Sequence, residues 1–225
     1  VDGNEYLPLA TSQDHKTIGE GDIGLNTGGM GAYSPVPFVN DELDQKIRKE
    51  VIEQTVKGLS ADGIYFRGFL YAGLMIDAEL NIKVLEYNCR FGDPETQPIM
   101  LRLKSDLIEM IQACFFGKIG DYEIEWDRKS AMGVVMSSIG YPESYETGKE
   151  ISGIDTLSDN DNIKVFHSGT RIENNNILSN GGRVLCVTAL GDDLRQSSMN
   201  AYSAVSQINW DGKYYRKDIG FRVMK

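Results

Sequence analysis

Cysteine is scarce in this chain: Cys89, Cys114 and Cys186 are the three among 225 residues, widely spaced and never in a C-x-x-C pair. An odd, scattered set of thiols provides neither a disulfide framework nor a zinc ligand set. It fits a reducing, cytoplasmic setting. Also missing is any apolar run near the roughly 18 residues needed to span a bilayer. The first residues show no basic-then-apolar export signal, so no membrane partner is expected. Positive charge is in short supply, with 23 Lys and Arg against 33 Asp and Glu and a formal net charge of -10. That balance repels phosphate backbones and disfavours nucleic acid as a partner, while one local cluster of donors still suffices for a small phosphorylated ligand. What is present is ordinary for a folded chain: 41% hydrophobic and 25% charged residues, in a length that suits one large domain or two small ones. An initiator Met is lacking, and Val1–Tyr6 reads as strand, turn and strand, so the sequence is expected to begin inside a larger protein.

Residues Glu5 to Thr11 look extended, and Ser12 to Pro37 are polar, Gly-rich and without a hydrophobic period, which predicts a long functional loop. Leu43, Ile47, Val51, Ile52, Val56 and Leu59 then recur at helical spacing behind Asn40, a suitable N-cap, with Asp41, Glu42 and Asp44 in the first turn. Ile64–Ile76 and Ile82–Asn88 read as a hairpin about a turn at 77–81. A helical stretch over 94–116 is expected to break near Ser105. Beyond Trp126 the spacing predicts strands at 131–137, 163–167 and 183–189, a helix over 192–208 and a last strand within 214–223. The change of grain places a boundary at 125/126.

The densest group of chemically useful residues is Glu86-Tyr87-Asn88-Cys89-Arg90-Phe91-Gly92-Asp93-Pro94-Glu95. Alternation along a strand puts Glu86, Asn88 and, if the strand persists, Arg90 on one face. A carboxylate beside an amide oxygen suits a hard divalent cation that keeps waters and phosphate oxygens as its other ligands. A guanidinium one step further can clamp an anion. The plainer reading is a surface ion pair of Glu86 with Arg90 at an ordinary strand end. A second group is Asp14-His15-Lys16 followed by Asn26-Thr27-Gly28-Gly29-Met30-Gly31. It is neither a Walker A loop nor a dinucleotide fingerprint. Its glycines offer backbone N–H groups to an anion, or serve a surface turn that needs positive φ. Alternation points Cys89 away from Glu86 and Asn88, which predicts a buried, inert thiol. Met75, Met132 and Met136 read as core, His15 as structural, and Asp159–Asp161 as a solvated loop.

Longer motifs carry a resemblance. Thr11–Lys16, Asn26–Pro35, Gly68–Met75, Glu86–Gln97, Gly133–Met136, Lys164–Thr170, Gly181–Leu190 and Arg216–Gly220 resemble, over nearly the whole chain, the phosphoribosylamine–glycine ligase family of the ATP-grasp superfamily. The fold this implies is α+β: residues 1–125 as the C-terminal half of an ATP-grasp domain, and 126–225 as a small C-terminal mixed sheet-and-helix domain. The N-terminal part of such an enzyme has no counterpart here and would be the chain's missing partner.

The reaction implied is ATP-dependent joining of glycine to 5-phosphoribosylamine through an acyl phosphate, in purine biosynthesis. By the same resemblance Glu86 and Asn88 match Mg²⁺ or Mn²⁺ ligands and Arg90 matches a catalytic, anion-orienting arginine. Asn26, Thr27, Gly28, Gly29, Met30, Gly31 and Asp93 are candidates for holding substrates. Two positions depart from the family pattern: Thr17 stands where an Arg usually follows His-Lys, and Leu25 replaces a common Pro. The facing position across the hairpin from Glu86 falls near Ala72 and carries no carboxylate. Another ATP-grasp carboxylate–amine ligase, or a non-catalytic metal-binding module, are the alternative readings.

Overall fold

The computed structural model describes residues 1–224. In chain order the elements begin with strands β1 (Gln13–Asp14), β2 (Thr17–Gly19), β3 (Ile23–Asn26) and β4 (Gly31–Ser34). Helices α1 (Asp41–Ile47) and α2 (Glu53–Ala61) follow, joined by a π-helical turn over Arg48–Ile52. Then come β5 (Tyr71–Ile76), β6 (Ile82–Asn88), α3 (Thr96–Arg102), α4 (Leu107–Phe115) and β7 (Ser130–Ser138). The remainder is β8 (Ile163–His167), β9 (Thr170–Glu173), β10 (Asn176–Ser179), β11 (Arg183–Gly191), α5 (Leu194–Gln207) and β12 (Lys213–Tyr214). Helix and strand are mixed, as an α+β chain requires. None of the helices is long and apolar enough to cross a membrane among the described residues.

Packing divides the chain into two compact units. The first comprises residues 1–9, 37–92 and 103–126; the second comprises 10–36, 93–102 and 127–225. Segments 10–36 and 93–102 thus belong, by their contacts, with the C-terminal residues.

In the first unit the helix over 41–61 starts where its cap requires. Asn40 is extended and its side chain accepts from Leu43 N at 2.9 Å, an N-cap worth about 1 kcal/mol. Leu43, Val51 and Val56 are its buried residues. The π-turn in its middle was not visible in the spacing. Strands β5 and β6 form an isolated antiparallel hairpin. Tyr87 Oη on β6 lies 2.6 Å from Thr55 Oγ1 on α2, and Phe69 stacks on Phe91 at 3.8 Å. The extended run expected from Ile64 begins only at Tyr71, because Gly68 adopts φ 139° and its N–H turns back to Val1 O at 2.9 Å. The expected opening strand, turn and strand is absent as well: residues 1–12 form no strand, and Asp2 Oδ1 captures the N–H groups of Asn4 and Glu5. Helix α4 is capped by Asp106, whose carboxylate accepts from Ile108 N and Glu109 N, and not by Ser105, whose hydroxyl accepts from Glu125 N.

The second unit is built on an antiparallel sheet of order β1-β4-β7-β11-β8, with β12 pairing on β7. Register runs Gly31↔Val134 between β4 and β7, and Val187↔Val134 between β11 and β7. Strands β7 and β11 are buried along almost their whole length, which explains their unbroken apolar runs. Helices α3 and α5 both pack on this central pair. Met132 and Met136 are fully buried here, whereas Met75, on the hairpin of the first unit, is exposed. The region 12–37 is therefore not a structureless loop. It contributes β1 and β4 to the sheet and the small β2–β3 hairpin. The tail strand is short because the chain turns after Tyr214, with Phe221 N bonded to Asp218 O and Val223 N to Gly220 O.

Candidate functional site

The candidate residues fall into both units. In the first unit, Glu86 and Asn88 share one face of β6 by alternation; Glu86 is exposed and Asn88 half-buried. A β-bulge lies between Gly73 and Leu74, so Glu86 faces Gly73 and Ala72 faces Tyr87. The position opposite Glu86 is thus one residue later than the turn alone suggests, and it carries no carboxylate either. A Cβ at Gly73 would lie 3.2 Å from Glu86 Cγ, so glycine leaves room for the acidic side chain. No group of three or more His, Cys, Asp or Glu side chains is placed to hold a metal ion by itself among the described residues. A cation here would draw on two oxygen ligands from the chain, and the remainder of its coordination would have to come from water and phosphate, an arrangement Mg²⁺ favours.

Arg90 lies beyond the end of β6, and its Nη1 donates to Phe91 O at 2.7 Å. Strand alternation therefore does not carry it onto the Glu86 face. No ion pair joins Glu86 to Arg90 among the described residues. Cys89 is exposed and not buried. Like Arg90 it lies beyond the end of β6, so alternation assigns it no face, and Leu85 and Tyr87 on the strand are exposed as well.

In the second unit, the Asn26–Gly31 turn is held from within. Thr27 N donates to Lys16 O at 2.7 Å and Met30 N to His15 O at 2.9 Å. Gly28 N donates to Tyr141 Oη at 3.0 Å and Gly29 N to Thr27 Oγ1 at 2.9 Å. Four successive donors are therefore occupied, contrary to the picture of a loop offering them to an anion. Glycine is needed here for close approach. At Gly29, with φ 119°, a Cβ would sit 2.4 Å from Pro94 Cδ and 2.5 Å from Asp14 Oδ1.

Asp93 lies in this unit beside the turn. Its Oδ2 accepts from Arg183 Nη2 at 3.0 Å and its Oδ1 from Gln97 Nε2 at 3.1 Å. Arg183 Nη1 donates to Gly28 O at 3.0 Å and to Asp93 O at 2.7 Å. Sequence reading did not single out Arg183; the only trace was its place in the Gly181–Leu190 motif.

Behind the turn, His15 is buried, and its Nε2 accepts from Gly220 N at 2.9 Å while Nδ1 faces Gly31 O at 3.3 Å. These partners define a neutral imidazole with its proton on Nδ1. Burial, reinforced by the Arg216 charge, pushes its pKa down to about 4. Asp14, 2.6 Å from the Lys16 ammonium, has its pKa pushed up to about 6, first by burial and then by Glu95, with Lys16 opposing. Arg216 is wholly buried and forms a fork with both oxygens of Asp218 at 2.8 Å, while its Nη1 reaches Asp22 and the Thr17 hydroxyl at 3.1 and 3.2 Å. Thr17, the departure from the family pattern, thus has a structural partner. Cys186 is buried in the sheet, and burial pushes its thiol up to about 12, so it is inert.

The fold is shared with biotin carboxylase from Campylobacter jejuni, which at 13% identity superposes over 86% of this chain and 42% of its own with a TM-score of 0.55. The family model of the phosphoribosylglycinamide synthetase ATP-grasp (A) domain matches residues 1–96, and that of the C domain matches residues 131–222. The chain belongs to the phosphoribosylglycinamide synthetase family. A phosphoribosylamine–glycine ligase of Salmonella typhimurium is 53% identical over 226 residues, covering all of this chain and 52% of that relative. The crystal structure of phosphoribosylamine–glycine ligase from Thermotoga maritima is 33% identical, with a TM-score of 0.85 over 96% of this chain and 53% of its own. The chain spans about half the length of the curated relatives it matches.

Proposed function

We propose that this chain forms part of an enzyme that joins glycine to 5-phosphoribosylamine at the expense of ATP, giving glycinamide ribonucleotide, ADP and phosphate. The observation that carries this reading is the paired match to the A and C domains of one synthetase family on a single chain. We assign residues 1–125 to the ATP-grasp part and 126–225 to the C-terminal domain. In the reaction a glycine carboxylate oxygen takes the γ-phosphoryl group and ADP leaves. The amine nitrogen then attacks the acyl carbon, phosphate leaves, and the nitrogen loses its proton.

Such chemistry rests on positioning and charge neutralisation. Glu86 and Asn88 are the residues that would hold Mg²⁺ or Mn²⁺, which neutralises phosphate charge when bound. Their fit is supported by an exposed carboxylate and a neighbouring amide on one strand face, opposite a side-chain-free Gly73. Arg90 is assigned the transferring phosphoryl or acyl-phosphate oxygens, its planar guanidinium offering parallel donors. Asn26–Gly31 and Asp93 are assigned to substrate. Since the turn's N–H groups are engaged internally, recognition there would use the Asn26 side chain and the Asp93 carboxylate.

The test is product formation by a full-length enzyme carrying this sequence, supplied with ATP, glycine and 5-phosphoribosylamine. Glycinamide ribonucleotide and ADP in equal amounts are expected. Turnover only with another carboxylate or amine would identify a different ATP-grasp ligase, and no ADP formation with any acceptor would leave a non-catalytic module.

A further inference from the structure

Arg183 opens β11, and its guanidinium touches two segments that are distant in sequence. Nη1 bridges the carbonyls of Gly28 and Asp93, and Nη2 binds the Asp93 carboxylate. Gly28 makes the approach possible: a Cβ there would lie 2.8 Å from Arg183 Cζ. The preceding residue matters too. Gly182 leaves space for the Tyr141 ring, since a Cβ at 182 would lie 2.2 Å from Tyr141 Cδ2, and Tyr141 Oη takes the Gly28 N–H. Gly182-Arg183 thereby supports both contacts that grip Gly28, one at its N–H and one at its carbonyl.

We infer that Arg183 is a positioning residue for the amine-bearing substrates: its planar fork fixes the Asn26–Gly29 turn to Asp93, so that the two present one surface. This rests on the ligase reading above. A carboxylate only accepts hydrogen bonds, so Asp93 suits the ammonium of glycine or the amine and hydroxyls of a sugar, and not the phosphates of ATP. Both its oxygens are already oriented, by Gln97 and Arg183. Lysine keeps the charge near Asp93 but cannot serve three acceptors lying in a fork. Asn26 to Gly28 carry no apolar side chain, the buried anchor being Met30 at the far end of the turn, so this part then loses its fixed pose.

The experiment compares the full-length enzyme with Arg183→Lys and Arg183→Met by hydrogen exchange and initial rates. Exchange of the 26–30 amides is expected to quicken about tenfold or more, with β7 and β11 unchanged. The KM for glycine or 5-phosphoribosylamine is expected to rise about tenfold, with the KM for ATP held within about twofold. Parental exchange at 26–30 in both variants, or faster exchange spread equally over β7 and β11, overturns the inference. So does an equal rise in all three KM values. A parent enzyme that makes no glycinamide ribonucleotide removes the ligase reading, while the exchange comparison still decides whether Arg183 holds the turn.

Discussion

The ring Nε2 of His15 accepts the backbone N–H of Gly220 at 2.9 Å, across 205 positions of chain. A protonated imidazole would present a second donor to that N–H, so folding holds His15 neutral, and burial favours the neutral form of its neighbour Asp14 as well, which for a carboxyl is the protonated one. Their contributions to pH-dependent stability therefore have opposite signs. His15, depressed to about 4 from an ordinary 6.5, gives stability that is complete above pH 6.5 and is lost as pH falls toward 4. Asp14, raised to about 6 from 3.8, favours the folded state below pH 3.8, and that advantage is lost as pH rises through 6. Each shift corresponds to roughly 3 kcal/mol at full extent.

The two effects offset each other in the wild-type chain between pH 7 and 5. Asp14→Asn leaves only the histidine loss, so its urea midpoint should fall more steeply on acidification over that interval than the parent's, while standing higher at pH 7.5. Equal slopes for the two proteins would show that Asp14 titrates normally.

Arg216 is wholly buried, against Asp218 and Asp22, which are mostly buried. Removing one partner of such a cluster strands the other charges, at a cost of about 3 kcal/mol or more. Arg216→Met is expected to lower the free energy of unfolding by that amount, and Asp22→Asn by less, because Asp218 still supplies the two-oxygen fork. Chemical denaturation at pH 7 ranks the two.

Glu86 has an exposed carboxylate on a hairpin, so Glu86→Gln should leave the thermal midpoint within about a degree or two. A neutral amide cannot balance a divalent cation, and the full-length variant should lose most of its activity. Near-parental rates at saturating Mg²⁺ would take Glu86 off the metal.

Arg90 separates catalysis from surface decoration. Loss of one preorganised donor at a transferring group costs about 100-fold or more in kcat, whereas an exposed pair contributes about 0 to 1 kcal/mol. Arg90→Lys keeps charge without the fork. The expected result is a fall of about 100-fold in kcat with unchanged stability; half the parental kcat or more would remove Arg90 from the reaction.

Legibility in the sequence followed the range of the forces involved. The helix behind Asn40 was readable because cap, acidic first turn and apolar stripe are all local. So were β7 and β11, whose apolar runs record burial in a central sheet, and the edge strand β8, whose half-buried Ile163, Val165 and Phe166 are β-branched or aromatic. The 12–37 region was read as loop because its strands are two to four residues long. Of these, β4 is fixed by pairing with residues a hundred positions away, as in Gly31↔Val134, and β1 in turn by pairing with β4. Of the candidate site, Glu86 and Asn88 were legible as residue types at strand spacing. The bulge that sets their facing partner was not, nor was the exposure of Cys89, because each depends on what covers a face. Arg183 escaped for the same reason: a side chain that bonds two remote carbonyls leaves no local pattern.

The contacts of Arg216, Asp218 and Gly220 with His15, Thr17, Gly21 and Asp22 bear on synthesis. A ribosome makes the β2–β3 hairpin nearly two hundred residues before the groups that fasten it. The early segment must therefore wait, its polar and glycine-rich composition keeping it solvated meanwhile, until the last elements of the second unit emerge. Vectorial folding from the N-terminus, common for contiguous domains, is closed to this unit. Its completion is timed by translation of the 213–222 stretch, and a nascent chain arrested before Arg216 would carry an unfastened hairpin open to proteolysis.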